Sequence, residues 1–584
     1  MNQPPGPDAL LSHLDEEQRE AAQATHGAVC MLAGAGTGKT TAITHRIAYG
    51  VATGVYPPNR VMALTFTSKS AGELRARLAR LGAGGVSART FHASALAQLG
   101  YFWPQVIGGV MPRILESKGR LLGQAAERLR LRLDTATLRD LAAEIEWRKV
   151  SRLSLAEYAL AERAMPPQLD LERMLDLQQA YEDLKDERRQ LDFEDVLLAT
   201  AGMIESEPRV AEQVREQYRF FVVDEYQDVS PLQHYLLQLW LGDRRDVCVV
   251  GDASQTIYSF AGASSRFLLR FPSDYPEATV VRLERNYRSS PPIVDTANRL
   301  MRDRPGALVL HPAARGVRSA SPQEAPSVAV YDNDMAEARA VARAIEAEIA
   351  AGRRPQDIAV LYRVNSQALA VSTALGDLGV STRVTGAARF FELPEVKQAV
   401  MMLKGAVVGG VPEPLFKTVS DVVRSLGWTQ EAPEARGAVR DRWESLNTIM
   451  ALAEEMGPRT TLRAFVDDLA HRAATQNEPT QRAVTLATIH AAKGLEWESV
   501  HLIGLSEGLL PISYAADEEA IEEERRLLYV GITRARERLA LSWSRGQQRS
   551  GDRQPSRFLA ELRSRTPDAP PTRASSAAPF RGRS

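Results

Sequence analysis

The sequence predicts an α/β protein built from two parallel-sheet cores, each of which is interrupted once by a mostly helical insertion. The first observation is that short apolar runs alternate with helical patterns, as in RVMALTF followed by SKSAGELRARLARL. This alternation is typical of parallel strands joined by helices. The second observation is that strand signals disappear twice, at about 104–190 and 403–482, where mostly helical patterns take their place.

The domain boundaries follow from these changes of pattern. Each core is split into two pieces by its insertion, and a C-terminal stretch rich in Pro, Ser, Ala and Arg is expected to be a disordered tail. The predicted boundaries are 1–102 and 190–280 for the first core, 103–189 for its insertion, 281–402 and 483–565 for the second core, 403–482 for its insertion, and 566–584 for the tail.

The composition is that of an ordinary soluble protein. The 584 residues are 44% hydrophobic and 25% charged, and this length predicts roughly four domains. No apolar run reaches membrane-spanning length, the first residues lack a signal-peptide pattern, and Cys30 and Cys248 alone make no disulfide framework. We therefore expect a reducing, cytoplasmic location and no membrane partner. A net charge of −1 gives no overall attraction to nucleic acid, so such binding must use local patches.

A glycine-rich loop joins an apolar run to a helical pattern in AVCMLAGAGTGKTTAITHRIA. Its glycines would let backbone N–H groups turn toward phosphate oxygens at the positive end of the following helix. Lys39 would reach the β- and γ-phosphates, and Thr40 would bind Mg²⁺. The alternative is a strand-to-helix turn that merely favours glycine. The predicted nucleotide-binding stretch is Ala33, Gly34, Ala35, Gly36, Thr37, Gly38, Lys39, Thr40 and Thr41, with alanine at the usual first glycine.

An acidic pair follows another apolar run, in RFFVVDEYQD. Asp224 would bind Mg²⁺ and Glu225 would polarise the attacking water, the two roles that hydrolysis of a phosphoanhydride requires. Taken alone, such a pair is more often an ordinary solvated turn. The presence of the phosphate-binding loop reverses that preference.

Two arginines of the second core, Arg288 in LERNYRSS and Arg534 in YVGITRARERL, are candidate arginine fingers. Such residues bring positive charge to the transition state of phosphoryl transfer. If the nucleotide binds between the cores, hydrolysis requires the cores to close, and closing and opening would drive movement. The alternative for each arginine is an ordinary surface charge.

A family resemblance is carried by eleven motifs: LDEEQREAA, AGAGTGKT, ALTFTSKSAGELRARL, ARTFHASAL, LDFEDVLL, VVDEYQD, VVGDASQTIYSF, LERNYRSS, VLYRVNSQA, TIHAAKGLEW and EEERRLLYVGITRA. In this order they resemble superfamily 1 DNA helicases of the Rep, UvrD and PcrA type, over roughly residues 10–562. The resemblance implies two RecA-like P-loop NTPase cores, with ATP and Mg²⁺ as cofactors.

The resemblance also implies roles for single residues at the nucleotide. Gln18 would read adenine, and Tyr287 would stack on it. Glu496 would contact the sugar side of the nucleotide, and Gln255 would link the γ-phosphate to the DNA site.

A further set of residues resembles the family's contacts to single-stranded DNA. Stacking suits a moving protein, because every base has a π-face and no sequence is read. Phe66 and Phe260 could equally be core aromatics. The predicted DNA-binding residues are Phe66, His92, Tyr258, Phe260, Arg363, Asn365 and His490.

The chain departs from the family pattern at several positions. Phe260 and Ala261 stand where relatives usually have Trp-Arg, which reduces one stacking surface and removes a charged contact near the γ-phosphate. Leu393 and Thr41 stand where relatives often carry arginine. The insertion at 403–482 is much shorter than in Rep or UvrD, where it regulates unwinding. We therefore expect altered coupling and altered engagement of duplex DNA.

The resemblance implies an ATP-dependent helicase or translocase that moves 3′ to 5′ on single-stranded DNA in DNA repair or replication. The expected partners are single-stranded DNA, junctions with duplex DNA, and repair or replication proteins. The expected state is a monomer that can self-associate on DNA. Two alternatives remain: a translocase that displaces proteins but unwinds duplexes weakly, and a nucleotide-dependent switch or scaffold without DNA activity.

Overall fold

A computed structural model confirms the α/β architecture, with two all-parallel six-stranded sheets flanked by helices. In the described part of the chain, no helix is both long and apolar enough to cross a bilayer. The expected disordered tail at 566–584 lies outside the described residues. The structure describes residues 5–133, 135–161, 163, 169–313, 324–365, 367–385, 391, 393–409, 414–430, 438–457, 460–475, 482–546 and 552–562.

The first part of the first core carries the glycine-rich loop between a strand and a helix. That strand, VCMLA, is apolar throughout because apolar clusters pack on both faces of the sheet. The elements are α1 (Pro7–Leu11), α2 (Glu16–Gln23), β1 (Val29–Ala33), α3 (Lys39–Ala52), β2 (Val61–Thr65), α4 (Ser68–Arg80), β3 (Ser87–Thr90) and α5 (Phe91–Val106).

In its described residues, the first insertion packs four helices around an apolar core of its own. Its first and last strands form a short parallel pair. Helix α5 continues through residue 103, so the predicted boundary there falls within a helix. The elements of the insertion are β4 (Arg113–Ile114), α6 (Lys118–Arg128), α7 (Thr135–Val150), α8 (Leu155–Ala159), α9 (Leu171–Glu187) and β5 (Gln190–Leu191).

The chain then completes the first sheet, in the strand order β3-β2-β6-β7-β1-β8. The elements are α10 (Phe193–Ser206), α11 (Pro208–Gln217), β6 (Phe220–Val223), α12 (Pro231–Leu241), β7 (Val247–Gly251), α13 (Arg266–Asp274) and β8 (Thr279–Leu283).

Strand β8 moves the end of the first core beyond its predicted position. It pairs in parallel with β1, from Val29 opposite Thr279 to Ala33 opposite Leu283. The predicted boundary after residue 280 therefore lies inside a strand of the first sheet. The sequence pattern identifies a strand but does not say which sheet that strand joins.

The second core repeats the parallel arrangement in the order β11-β16-β15-β12-β14-β13. Its insertion packs four helices around a separate apolar core, and the first of them begins at Pro394, before the predicted start at 403. The elements are β9 (Arg285–Asn286), α14 (Pro291–Leu300), β10 (His311–Pro312), β11 (Ser327–Tyr331), α15 (Asp334–Ala350), β12 (Ile358–Tyr362), α16 (Gln367–Asp377), β13 (Thr382–Thr385), α17 (Pro394–Gly409), α18 (Leu415–Ser425), α19 (Ala438–Met456), α20 (Leu462–Thr475), β14 (Val484–Thr488), β15 (Trp497–Leu502), α21 (Glu518–Ile532), β16 (Ala535–Ser544) and α22 (Arg557–Leu562).

A buried network of ion pairs joins the first insertion to the first core. Lys149 of α7 donates to Asp192 and Asp195, which begin α10, at 2.7 Å each. Lys185 of α9 donates to the same Asp192 at 3.3 Å. Burial disfavours the charge on Lys149, but the Asp192, Asp195 and Glu182 carboxylates outweigh it and raise its pKa. The orientation of the insertion therefore depends on charges that are held away from water.

Asp192→Asn tests this anchor. We expect the variant to lower the free energy of unfolding by about 3 kcal/mol or more, because it leaves two buried ammonium groups short of negative charge. Differential scanning calorimetry would measure the loss, with Asp186→Asn on the exposed side of α9 as the control. A loss below about 1 kcal/mol, the range of a surface ion pair, would contradict the anchoring role.

Candidate functional site

A cavity lies at the carboxyl edge of the first sheet and is closed by the second core. Loops after β1, β2, β6 and β7 reach it from the first core, as ligand sites in open parallel sheets do. Helix α4 also contributes side chains that the sequence analysis did not single out. The lining residues are Gly34 to Thr41, Thr65, Phe66, Ser70, Glu73, Leu74, Arg77, Asp224, Glu225 and Gln255 from the first core, and Arg288, Gly494 and Arg534 from the second.

The glycine-rich loop has a backbone that other residues could not copy. Gly36 and Gly38 have φ of +72° and +81°, in the left-handed region that favours glycine. A Cβ atom on Gly36 would lie 2.7 Å from Asn286 Nδ2 and 2.8 Å from Arg288 Cβ. The Asn286 side chain donates to the Ala35 carbonyl at 2.7 Å. The second core therefore touches the backbone of the loop directly.

Lys39 is the first residue of α3 and projects into the cavity. Its Nζ is buried, has no hydrogen-bond partner, and lies 3.5 Å from Glu225 Oε2. Burial opposes its charge, but Glu225, Asp252 and Asp224 outweigh that effect and raise the pKa of Lys39. A buried ammonium without a hydrogen-bond acceptor fits the oxygens of a polyphosphate.

The two acidic residues at the end of β6 have pKa values that are shifted in opposite directions. Burial and the neighbouring Glu225 raise the pKa of Asp224 to about 7. Burial alone would raise the pKa of Glu225, but Lys39 and Lys493 outweigh it and lower that pKa to about 2. A divalent cation would hold Asp224 ionised, and Thr40 lines the same cavity. The residues present therefore fit a magnesium ion, which Thr40 and Asp224 would hold.

Both candidate arginine fingers reach this cavity. Arg534 is 2% exposed, donates to the Val530 carbonyl at 2.9 Å, and reaches Gln255 Oε1 of the first core at 3.4 Å. Burial, with a contribution from Arg288, lowers the pKa of Arg534 to about 9. Arg288 donates to the Thr533 carbonyl at 3.2 Å. Arg534 is thus not a surface charge, and the two guanidinium groups line one cavity.

Gln255 connects the two cores at the cavity. Its side-chain amide donates to Asp252 Oδ2 at 2.7 Å, and its backbone carbonyl accepts from Lys493 Nζ at 2.6 Å. Glu496, by contrast, is not among the residues that line the cavity. It pairs with Arg288 and Arg536, so it orients the Arg288 side chain.

The predicted adenine contacts meet on the other side of the loop. Gln18 Nε2 donates to the Thr37 carbonyl at 3.0 Å, and the Tyr287 backbone N–H donates to the Gly36 carbonyl at 2.9 Å. Asp15, which the sequence analysis missed, accepts from the Gln18 backbone N–H at 2.7 Å and from the Tyr287 hydroxyl. Its signal was the pattern DEEQ, which is typical of a helix N-cap.

An aromatic row, defined as Phe66, Tyr258, Phe260 and His490, crosses from the first core to the second. The Phe66 and Tyr258 rings stack with centroids 5.8 Å apart. Phe260 lies edge-on to both Tyr258 and His490, at 6.1 Å from each. Phe66 is 45% exposed and Phe260 62% exposed, so neither is a core residue. These rings offer flat surfaces to solvent at the junction of the cores.

The second core adds Arg363 beside this row. Its guanidinium donates to Glu524 at 2.8 and 3.0 Å and to the Tyr514 hydroxyl at 3.4 Å. Burial, together with the charges of Arg363 and Lys493, lowers the pKa of His490 to about 4. Asn365 is exposed, two residues beyond Arg363.

His92 pairs with a residue that the sequence analysis missed. Its ring meets that of Phe193 edge-on at 5.7 Å, and its Nε2 is buried without a hydrogen-bond partner. Burial and the nearby Lys118 lower the pKa of His92 to about 4. Phe193 is 57% exposed and follows the helix N-cap Asp192 in LDFEDVLL. An exposed aromatic at that position is a further candidate for base stacking.

Two family models match the chain. The UvrD/REP helicase N-terminal domain matches residues 14–276, and the UvrD-like helicase C-terminal domain matches 281–408 and 414–546. ATP-dependent DNA helicase UvrD2 of Mycobacterium tuberculosis is 46% identical over 97% of this chain and 83% of its own length. DNA helicase II of Escherichia coli is 29% identical, over 95% and 88%. ATP-dependent DNA helicase PcrA of Bacillus subtilis is 28% identical, over 95% and 86%. The family resemblance read from the motifs is confirmed.

Phe260→Ala tests the stacking role that its exposure indicates. We expect binding of an oligothymidine to weaken by roughly 1–3 kcal/mol with little change in melting temperature. Fluorescence anisotropy and a thermal melt would measure the two quantities. Phe260→Trp restores the larger ring and should tighten binding.

Phe271→Ala is the control for this measurement, because Phe271 belongs to the same core and is 2% exposed. It should cost about 3–5 kcal/mol of folding stability. A Phe260→Ala variant that is equally destabilised, with unaltered DNA affinity, would remove Phe260 from the DNA site.

Proposed function

The chain belongs to the UvrD/REP helicase family and is an enzyme of the ATP-dependent DNA helicase type, and on that premise we propose that it moves 3′ to 5′ along single-stranded DNA as it hydrolyses ATP. The observation that carries the proposal is the cavity, which residues of both cores complete, with Arg534 of the second core reaching Gln255 of the first. The aromatic row crosses the same junction. Hydrolysis and movement would therefore share one interface.

The hydrolytic step uses groups that already face the cavity. Lys39 would neutralise charge on the β- and γ-phosphates, and Glu225, which is ionised at neutral pH, would orient and polarise the attacking water. Arg288 and Arg534 would stabilise the charge of the transition state. A magnesium ion, held by Thr40 and Asp224, would supply further neutralisation of the phosphates.

Movement would follow from closure of the cores around the nucleotide. Phe66 and Phe260 lie on the first core, whereas His490 and Arg363 lie on the second. When the cores approach or separate, the two halves of the DNA site change their spacing, and a strand held by stacking is advanced. The direction of movement, and a role in DNA repair or replication, rest on the likeness of the motifs to the Rep, UvrD and PcrA type.

We also propose where and in what form the protein acts. It would bind single-stranded DNA and its junctions with duplex DNA as a monomer in the cytoplasm, with self-association on DNA and contacts to repair or replication proteins. Sequence-tolerant stacking, rather than overall charge, would supply affinity, because the chain has a net charge of only −1.

A second candidate function is a translocase that displaces bound proteins but unwinds duplex DNA weakly. Two observations favour it. Among its described residues, the second insertion has the helices α17 to α20, and Ala261 stands where relatives usually have an arginine beside the stacking ring. Less contact with a duplex and a smaller stacking surface would both reduce the force applied to base pairs.

Strand displacement beside streptavidin displacement distinguishes the two candidates. Duplexes with a 3′ or a 5′ single-stranded tail should be unwound from the 3′ tail alone if the proposed polarity is correct. Release of streptavidin from a biotinylated single strand without unwinding would favour the second candidate. Unwinding from 5′ tails alone would contradict the proposed polarity.

Lys39→Ala and Glu225→Gln test the assignment of the chemistry. Lys39→Ala should abolish ATP hydrolysis, because it removes the ammonium group that would neutralise the β- and γ-phosphates. Glu225→Gln should bind ATP normally but not turn it over, because the amide cannot polarise water as a carboxylate does. Steady-state ATPase and equilibrium binding of a fluorescent ATP analogue measure both effects. Near-normal turnover in either variant would contradict the site.

Arg288→Ala and Arg534→Ala test whether two arginines serve one transition state. Each should lower DNA-stimulated turnover by about 10³-fold or more, the effect of an arginine finger. The double variant should lose far less than the product, because the two groups act as a unit. Arg536→Ala is the control, since Arg536 pairs with Glu496 but does not line the cavity. Fully multiplicative losses would mean that the two arginines act separately.

A further inference from the structure

The turn that carries Phe260 is held by the second core. This turn, Ser259–Ala261, is a short 3₁₀ segment of the first core and is called here the Phe260 turn. The Ser259 backbone N–H donates to Glu523 Oε1 at 3.0 Å, and the Ser259 hydroxyl donates to Oε2 of the same carboxylate. Glu523 lies on α21 of the second core. Two donors of one residue thus bind one carboxylate across the junction of the cores.

The other side of the Phe260 turn rests on the first insertion. Gly262, with φ of +84°, follows the turn, and a Cβ atom there would lie 2.5 Å from Val150 Cγ2 at the end of α7. The turn is therefore caught between α7 and α21. It has little room to move unless the contact with Glu523 changes.

Helix α21 connects this contact to the nucleotide cavity. The helix carries Glu523 in its first half and ends at Ile532, two residues before Arg534. Between these points, Arg526 donates to the Thr256 carbonyl of the first core at 2.8 Å. A displacement of α21 that moves Arg534 relative to the cavity must therefore also act on the Phe260 turn.

We propose that the contact of Ser259 with Glu523 couples the stacking of DNA on Phe260 to closure of the nucleotide cavity. Position 261, next to the stacking ring, is alanine in this chain and cannot supply a charged contact. The proposal rests on the function proposed above. With the contact made, a base stacked on Phe260 favours the closed state in which Arg534 reaches Gln255. With the contact broken, the turn no longer follows the second core.

The Ser259 hydroxyl is the part of this contact that a side chain can supply or withhold. Alanine at position 259 keeps the backbone N–H but loses the second hydrogen bond to a charged acceptor, whereas threonine keeps both. Coupling between two ligands is reciprocal, so an ATP analogue must change DNA affinity by the same factor by which DNA changes analogue affinity. That factor, rather than either affinity alone, measures the role of Ser259.

The test measures binding of a fluorescent oligothymidine to the full chain, with and without a saturating non-hydrolysable ATP analogue. In Ser259→Ala the coupling factor should fall by about tenfold or to unity, as expected for loss of a hydrogen bond to a carboxylate. DNA affinity without nucleotide and the melting temperature should stay unchanged. Ser259→Thr should retain wild-type coupling, and Glu523→Gln should lose it.

The matched control is Glu522→Gln, because Glu522 is the neighbour of Glu523 on α21 and pairs instead with Arg304 and Arg525. It should retain wild-type coupling. Wild-type coupling in Ser259→Ala, or an equal loss in Ser259→Thr, would overturn this inference and leave the proposed function intact. If the wild-type protein binds DNA equally with and without the analogue, the proposed function fails and the inference with it.

Discussion

The burial of the Arg534 guanidinium against the first core is the constraint on which the site depends. A buried charge is costly unless it is well paired, and Arg534 is satisfied by carbonyl groups and by the Gln255 amide oxygen. Lys39 and Arg288 line the same cavity, so three cations converge there. Burial, with a contribution from Arg288, lowers the pKa of Arg534, so its charged form is disfavoured in this position. A bound polyphosphate would stabilise the positive charges of these three side chains, and closure of the cores would thereby depend on the ligand.

The cavity and the aromatic row are connected by one short stretch of chain rather than by a long path. Gln255 lines the cavity, and Tyr258 and Phe260 of the aromatic row follow it only a few residues later. The same stretch touches the second core through Lys493, which bonds the Gln255 carbonyl. If the cavity binds ATP and the aromatic row binds DNA, an element that joins the two and touches both cores can bias both equilibria directly, which is the physical requirement for coupling.

The structural features that the sequence predicts are those formed by residues close together in the chain. The glycine-rich loop, the Asp224 and Glu225 pair and the two parallel sheets follow from local patterns of glycine, charge and apolar runs. Contacts between residues that are far apart in the chain left no such pattern. The strand β8 joins the first sheet rather than the second, Glu496 pairs with Arg288, and Ser259 meets Glu523 across 264 positions. The exposure of Phe66 and Phe260 was likewise undecidable, since an aromatic ring suits a core and a stacking surface equally well.

In the proposed function, one interface between the cores serves both ATP hydrolysis and the binding of single-stranded DNA. The most direct measurement is the steady-state ATPase rate of the wild-type chain in the presence and absence of a long oligothymidine. With a shared interface, the oligonucleotide should raise kcat, because a strand stacked across the junction would favour the closed cavity in which Arg534 and Glu225 act together. A rate that is the same with and without DNA would contradict it, and would indicate a nucleotide-dependent switch or scaffold instead.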